Sequence, residues 1–189
     1  MKIDNYVISA PLMLGGEHSE AEAFGAAVWL WMHSPSHRDA PLHTLPTLLL
    51  PAIKKQQFVL VSENEKPVFY FAWAWMDEEA EYRYLTQPAV MIQERDWTSG
   101  DRLWVLDWIS PFGHTGKMKE IVTDIVFPDQ FGRFLYHKGE MTGKKIKTWH
   151  GKNIDKSITG PWYQTHPLAT EITTNITTNN RHVLETDIL

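Results

Sequence analysis

The chain has 189 residues, 43% of them hydrophobic, and a net charge of −5 from 18 Lys and Arg against 23 Asp and Glu. That is enough for one full core, and it lacks the basic excess that nucleic acid attracts. The absence of cysteine excludes disulfides, thiolate nucleophiles and cysteine metal sites together.

No apolar run approaches the roughly 18 residues of a membrane span. The N-terminus MKIDNYVISAPLMLGGE lacks the basic start and clean apolar stretch of a signal peptide. A soluble, cytoplasmic protein is expected, with one domain over residues 1–164 and a threonine-rich, mobile tail over 165–189.

Taken in chain order, the elements form an α+β or α/β pattern. Ser19 with Glu22 makes a capping box, and Phe24, Val28 and Trp31 recur at helical spacing, so a helix is predicted from Glu20 to His33, stopped by Pro35. A second helix is predicted over Leu45 to Lys55, kinked or shortened by Pro51. Phe58 to Val61 and Val68 to Trp75 read as an antiparallel hairpin joined through Ser62 to Pro67. Asp77 to Leu85 reads as a helix, Leu103 to Ile109 as a strand and Lys117 to Val126 as a helix. Arg133 to Lys138 and Lys144 to Trp149 read as two strands around a turn at Met141 to Gly143. From Gly132 to Lys156, seven basic side chains face Glu140 and Asp155, a local charge of +5 on an acidic protein. Such a strip fits either an acidic partner or a solvated face.

Three stretches carry candidate chemistry. In WMHSPSHRDAP, residues 31 to 41, a helix ends and His37 follows in an irregular loop, where a scaffold can hold a reactive group near solvent; idle loop histidines are also common. His33, His37 and His43 invite a zinc reading, but Pro35 breaks the helix that the spacing requires and no carboxylate sits at the usual place, so no metal is expected. In WVLDWIS, residues 104 to 110, a period of two sets Asp107 on one face with Leu103, Val105 and Ile109. A carboxylate among apolar groups needs a cation, a histidine or backbone donors, which makes it either a site residue or a structural anchor satisfied by an arginine such as Arg102. In SPFGHTGKM, residues 110 to 118, Gly113 and Gly116 precede a helix and can expose N–H groups to a phosphate, although a plain turn has the same look.

The strings SPSHR, LPAIKKQQ, RDWTSGDRLWVLDWISPFG and HGKNID, in this order and at these distances, resemble the RTX toxin-activating lysine acyltransferases. The resemblance runs from about Val28 to Lys156. It implies a Gcn5-related N-acetyltransferase-like mixed sheet flanked by helices, and a homodimer. It also implies transfer of a fatty acyl chain from acyl carrier protein to internal lysines of an RTX protoxin. By position it assigns the essential histidine to His37, its aspartate to Asp107 and a further serine to Ser34. The coenzyme A loop of ordinary N-acetyltransferases is not intact, and Gly113 to Gly116 stands in its place as the expected contact for a phosphopantetheine phosphate.

The chemistry agrees with these residue types. A lysine amine with a pKa near 10.4 is almost wholly protonated at neutral pH, so attack on a thioester needs a base such as histidine. His37 serves either as that base or as an acyl-accepting nucleophile, with Asp107 orienting it. Ser34 reads as an oxyanion donor or as the helix cap. A non-catalytic chaperone that binds a secreted partner through the basic strip is the alternative.

Overall fold

The computed structural model describes residues 1–136 and 145–170. Seven strands form one sheet in which spatial order equals chain order: β1 (Lys2–Ile3), β2 (Tyr6–Ser9), β3 (Phe58–Glu63), β4 (Lys66–Met76), β5 (Arg102–Ile109), β6 (Phe131–Tyr136) and β7 (Lys145–His150). Every neighbouring pair is antiparallel except β5 with β6. That parallel pair joins at Trp104–Arg133 and Val105–Phe134. A parallel pair needs a crossover, here through α6 (Thr115–Glu120) and a π-helical turn (Ile121–Val126). The expected helix over Lys117 to Val126 is thus two segments.

Helices cover both faces. On one lie α2 (Glu20–His33), α3 (Leu45–Leu48), α4 (Leu50–Lys54) and α5 (Glu78–Thr86); their Ala27, Leu30, Trp31, Ile53 and Leu85 pack on Tyr70, Ala72, Ala74 and Trp104. On the other, Met118, Ile121 and Val122 pack on Phe69, Phe71, Trp73 and Val105, beside Ile8 of β2 and the short α1 (Pro11–Leu14). This is the expected N-acetyltransferase-like α/β fold.

The bounds of α2 match its sequence signals, with the Ser19 side chain accepting from the Glu22 N–H. Pro51 divides the second predicted helix into α3 and α4. The β3–β4 hairpin turns on Asn64 and Glu65, both at positive φ, a tighter two-residue loop than the Ser62 to Pro67 link expected. The predicted turn at Met141 to Gly143 and most of the threonine-rich tail lie outside the described residues. Past β7, α7 (Lys156–Thr165) is a helix that the sequence reading did not assign. Asp155 caps it, and the Tyr163 hydroxyl ties it to the sheet, its one proton shared between the carbonyls of Gly132 and Trp149, both at 2.9 Å. No helix of the described residues is long and apolar enough to cross a membrane.

Candidate active site

Pro35 determines how α2 ends. A residue before proline is pushed out of the helical region, and Ser34 takes φ −92° and ψ 122°, extended backbone. The chain then doubles back so tightly that the Ser34 carbonyl accepts from the N–H groups of both His37 and Arg38, each at 3.0 Å. His37 is thereby turned under the end of its own helix, with its ring 4.8 Å from that of Trp31 and only 2% exposed. The irregular loop expected to hold His37 near solvent instead buries it.

Asp107 arrives by a different device. Along the β4–β5 ladder Ala72 pairs with Asp107 while Trp73 pairs with Val105, so Leu106 is an extra residue and forms a β-bulge. The bulge reverses the alternation. Leu103 and Val105 face the α6 side of the sheet, whereas Asp107 and Ile109 face the α2 side with Trp104. The predicted sharing of a face with Leu103 and Val105 is therefore corrected: a strict period of two breaks at Leu106, and the break aims the carboxylate at His37.

The two meet with His37 Nε2 3.4 Å from Asp107 Oδ1, at side-chain exposures of 1% and 4%. The other ring nitrogen, Nδ1, lies 2.7 Å from the Ser34 hydroxyl and 3.0 Å from that of Ser36. A carboxylate opposite a bare nitrogen lone pair would repel it, so the neutral imidazole carries its proton on Nε2 and accepts at Nδ1 from a serine. Ser34, His37 and Asp107 thus form one hydrogen-bonded chain, with a hydroxyl at the basic nitrogen and a carboxylate behind the ring. Ser36 was not singled out from the sequence, though it shares the SPSH string.

Gly113 and Gly116 are not brought into this chain. Gly113 has φ +83° and opens, like Gly116, onto unfilled space at the start of α6. Their loop meets α2 through Phe112, whose ring lies 5.6 Å from Trp29 and 5.4 Å from His33. His33 itself bonds the Trp29 carbonyl. Among the described residues no group of three or more His, Asp or Glu is placed to hold a metal.

Of the strip's described basic side chains, Arg133, Lys147 and Lys152 each have a neighbour of their own. Arg133 turns inward to Glu81 at 2.9 Å, and burial, partly offset by Glu81, pulls its guanidinium below the usual arginine value. Lys152 pairs with Asp124 at 3.1 Å, Lys147 lies over the Tyr136 ring, and Lys138 and Lys144 fall outside the described residues.

The string RDWTSGD makes several structural contacts. Asp96 takes Arg83 at 2.6 Å and the Gln93 N–H at 3.0 Å, the Trp97 carbonyl takes Gln57, and the Ser99 hydroxyl accepts from the Asp77 N–H. It fastens to α5 at Asp77 and Arg83 and to Gln57 ahead of β3, just before the bulged strand begins.

An N-acetyltransferase-like sheet carrying a buried histidine–aspartate pair is the framework of an acyltransferase. The model of the RTX toxin acyltransferase family matches residues 17–150, and the chain belongs to that family. It is 37% identical over 153 residues to the protein-lysine myristoyltransferase HlyC of Escherichia coli, covering 80% of this chain and 89% of that one. It is 37% identical over 143 residues to the RTX-I toxin-activating lysine-acyltransferase ApxIC of Actinobacillus pleuropneumoniae, covering 76% and 82%. Against the protein-lysine palmitoyltransferase CyaC of Bordetella bronchiseptica, identity is 36% over 135 residues, covering 70% and 72%.

Proposed function

We propose that this protein transfers a fatty acyl chain from acyl carrier protein to internal lysine ε-amines of an RTX protoxin, with His37 as general base. The observation that carries this reading is the buried His37–Asp107 pair, set in a fold whose relatives are named as lysine acyltransferases. The lysine amine attacks the thioester carbon while its proton passes to Nδ1 of His37, through the Ser34 hydroxyl that already occupies that nitrogen. Asp107 then faces an imidazolium whose Nε2–H it accepts, and the attraction strengthens as the charge forms. The serine hydroxyl at Nδ1 blocks the lone pair that a covalent acyl-imidazole would need, which favours the base over the nucleophile.

His37, Asp107 and Ser34 are all at most 5% exposed, so the donor reaches them only after the centre opens. The turn at Gly113 and Gly116 is assigned to the phosphopantetheine phosphate, and the protein to the cytoplasm as a homodimer. Incubation with myristoyl- or palmitoyl-acyl carrier protein and a lysine-bearing protoxin fragment tests the reading. A mass gain of one acyl chain on a lysine is expected, and an unmodified fragment with a wild-type protein that is folded would end it.

A further inference from the structure

On the sheet face that carries Asp107, one hydroxyl stands without a partner. Tyr70 lies in β4 and is fully buried, and its hydroxyl makes no hydrogen bond. Buried polar groups are ordinarily paired, and an exception calls for a reason such as a catalytic role. The ladder places Tyr70 beside Asp107. Tyr70 is opposite Ile109 and Ala72 is opposite Asp107, so Tyr70 and Asp107 are diagonal neighbours on adjacent strands, both facing α2. Trp31, whose ring packs on His37, belongs to the same layer.

Burial first, and the negative charge of Asp107 second, push the Tyr70 phenol well above its ordinary value. It therefore stays protonated throughout the working range, a neutral donor that cannot compete with His37 as a base. Of the unpaired indole N–H groups, those of Trp73, Trp108 and Trp149 belong to rings on the opposite side of the sheet, while those of Trp31 and Trp97 share the side of Tyr70.

We propose that Tyr70 is a further catalytic residue, its phenol O–H donating to the thioester carbonyl oxygen as that oxygen becomes an oxyanion. The proposal rests on the acyl-transfer reading above. In the step it serves, the lysine nitrogen bonds to the carbonyl carbon, the π electrons move onto oxygen, and the amine proton goes to His37. The oxyanion then re-forms the double bond, the carbon–sulfur bond breaks, and the imidazolium proton leaves with the thiolate as a thiol. The phenol keeps its own proton throughout. A donor left unpaired at rest and satisfied only when charge develops favours the transition state over the ground state.

Tyr70→Phe deletes this oxygen and keeps the ring. Because no resting hydrogen bond is lost, the melting temperature should hold or rise slightly, and the KM for myristoyl-acyl carrier protein should be unchanged. The kcat for lysine acylation should fall about 10²-fold, the loss typical of one missing oxyanion donor. Wild-type kcat in the folded variant, or a loss confined to KM, overturns the assignment while leaving acyl transfer intact. Failure of the wild-type protein to acylate lysine removes the reading beneath it, and Tyr70's role with it.

Discussion

Glu81 and Asp107 are two buried carboxylates on the same side of one sheet, held in opposite ways. Glu81, at 0% exposure, is saturated: it accepts from Arg102, from Arg133 and the Trp104 indole at 2.9 Å each, and from the Ala169 N–H at 3.1 Å. The same arginines reach past it, Arg102 to the Pro167 carbonyl and Arg133 to that of His166, fastening the chain beyond α7 to the sheet. Asp107, nearly as buried, faces the His37 imidazole at 3.4 Å with an unpaired phenol on the neighbouring strand. Fixed permanent charges leave Glu81 nothing further to gain from a proton transfer. Asp107 is opposite a group that can become charged, so its strongest interaction exists only during reaction.

Substitutions can break this contrast. The largest effect is expected from His37→Ala, which removes the base: acylation should fall about 10³-fold or more with the melting curve little changed, and normal turnover would dismiss both roles considered for the histidine. Next is Glu81→Ala, which strands the buried guanidinium of Arg133 and takes one carboxylate from the half-buried Arg102. Denaturant unfolding should show a loss of about 3–5 kcal/mol, whereas a cost under about 1 kcal/mol would mean the cluster holds little together. Asp107→Asn should reverse that profile, lowering single-turnover transfer about 10²-fold with a small shift in stability. If instead the variant melts early and what stays folded turns over normally, Asp107 belongs with Glu81 as an anchor.

The smallest effect concerns Asp96. Burial draws its carboxyl upward, but the bond from Arg83, the Gln93 N–H and the charges of Arg83 and Arg95 outweigh burial and hold it below the ordinary carboxylate value. A carboxyl lower in the folded than in the unfolded chain contributes stability above the unfolded value and loses it as pH falls through the folded one. Acid unfolding of the wild type should therefore be steeper below about pH 4 than that of Asp96→Asn, and parallel curves would contradict the pairing.

Much of this was legible from residue order, and the failures have physical causes. Capping at Ser19, the stop at Pro35 and the β-branched and aromatic runs of β3, β4 and β5 act locally, and those elements appeared close to where the signals lie. The bulge at Leu106 leaves no local trace, because an extra residue is defined only against the partner strand. So the sequence could nominate Asp107 without finding its face. His37 was expected on an open loop, but the double turn on the Ser34 carbonyl carried it inward. Helix α7 hid behind Gly160–Pro161, which reads as a break; Asp155 as cap and the stacking of Trp162 on Phe131, 4.4 Å between ring centroids, outweigh it.

A sheet whose spatial order repeats its chain order has a consequence for synthesis. As the polypeptide leaves the ribosome, each strand reaches an edge already laid down by the one before it, and no strand has to be threaded between two others. β2 and β4 wait through long connections for the next strand, and so does β5, which must see the whole crossover made before β6 arrives. During that interval its outer edge is open to pairing with another nascent chain, and the kink at Leu106 spoils the straight template that such pairing needs. The irregularity that turns a carboxylate toward its histidine therefore also guards the unfinished protein against aggregation.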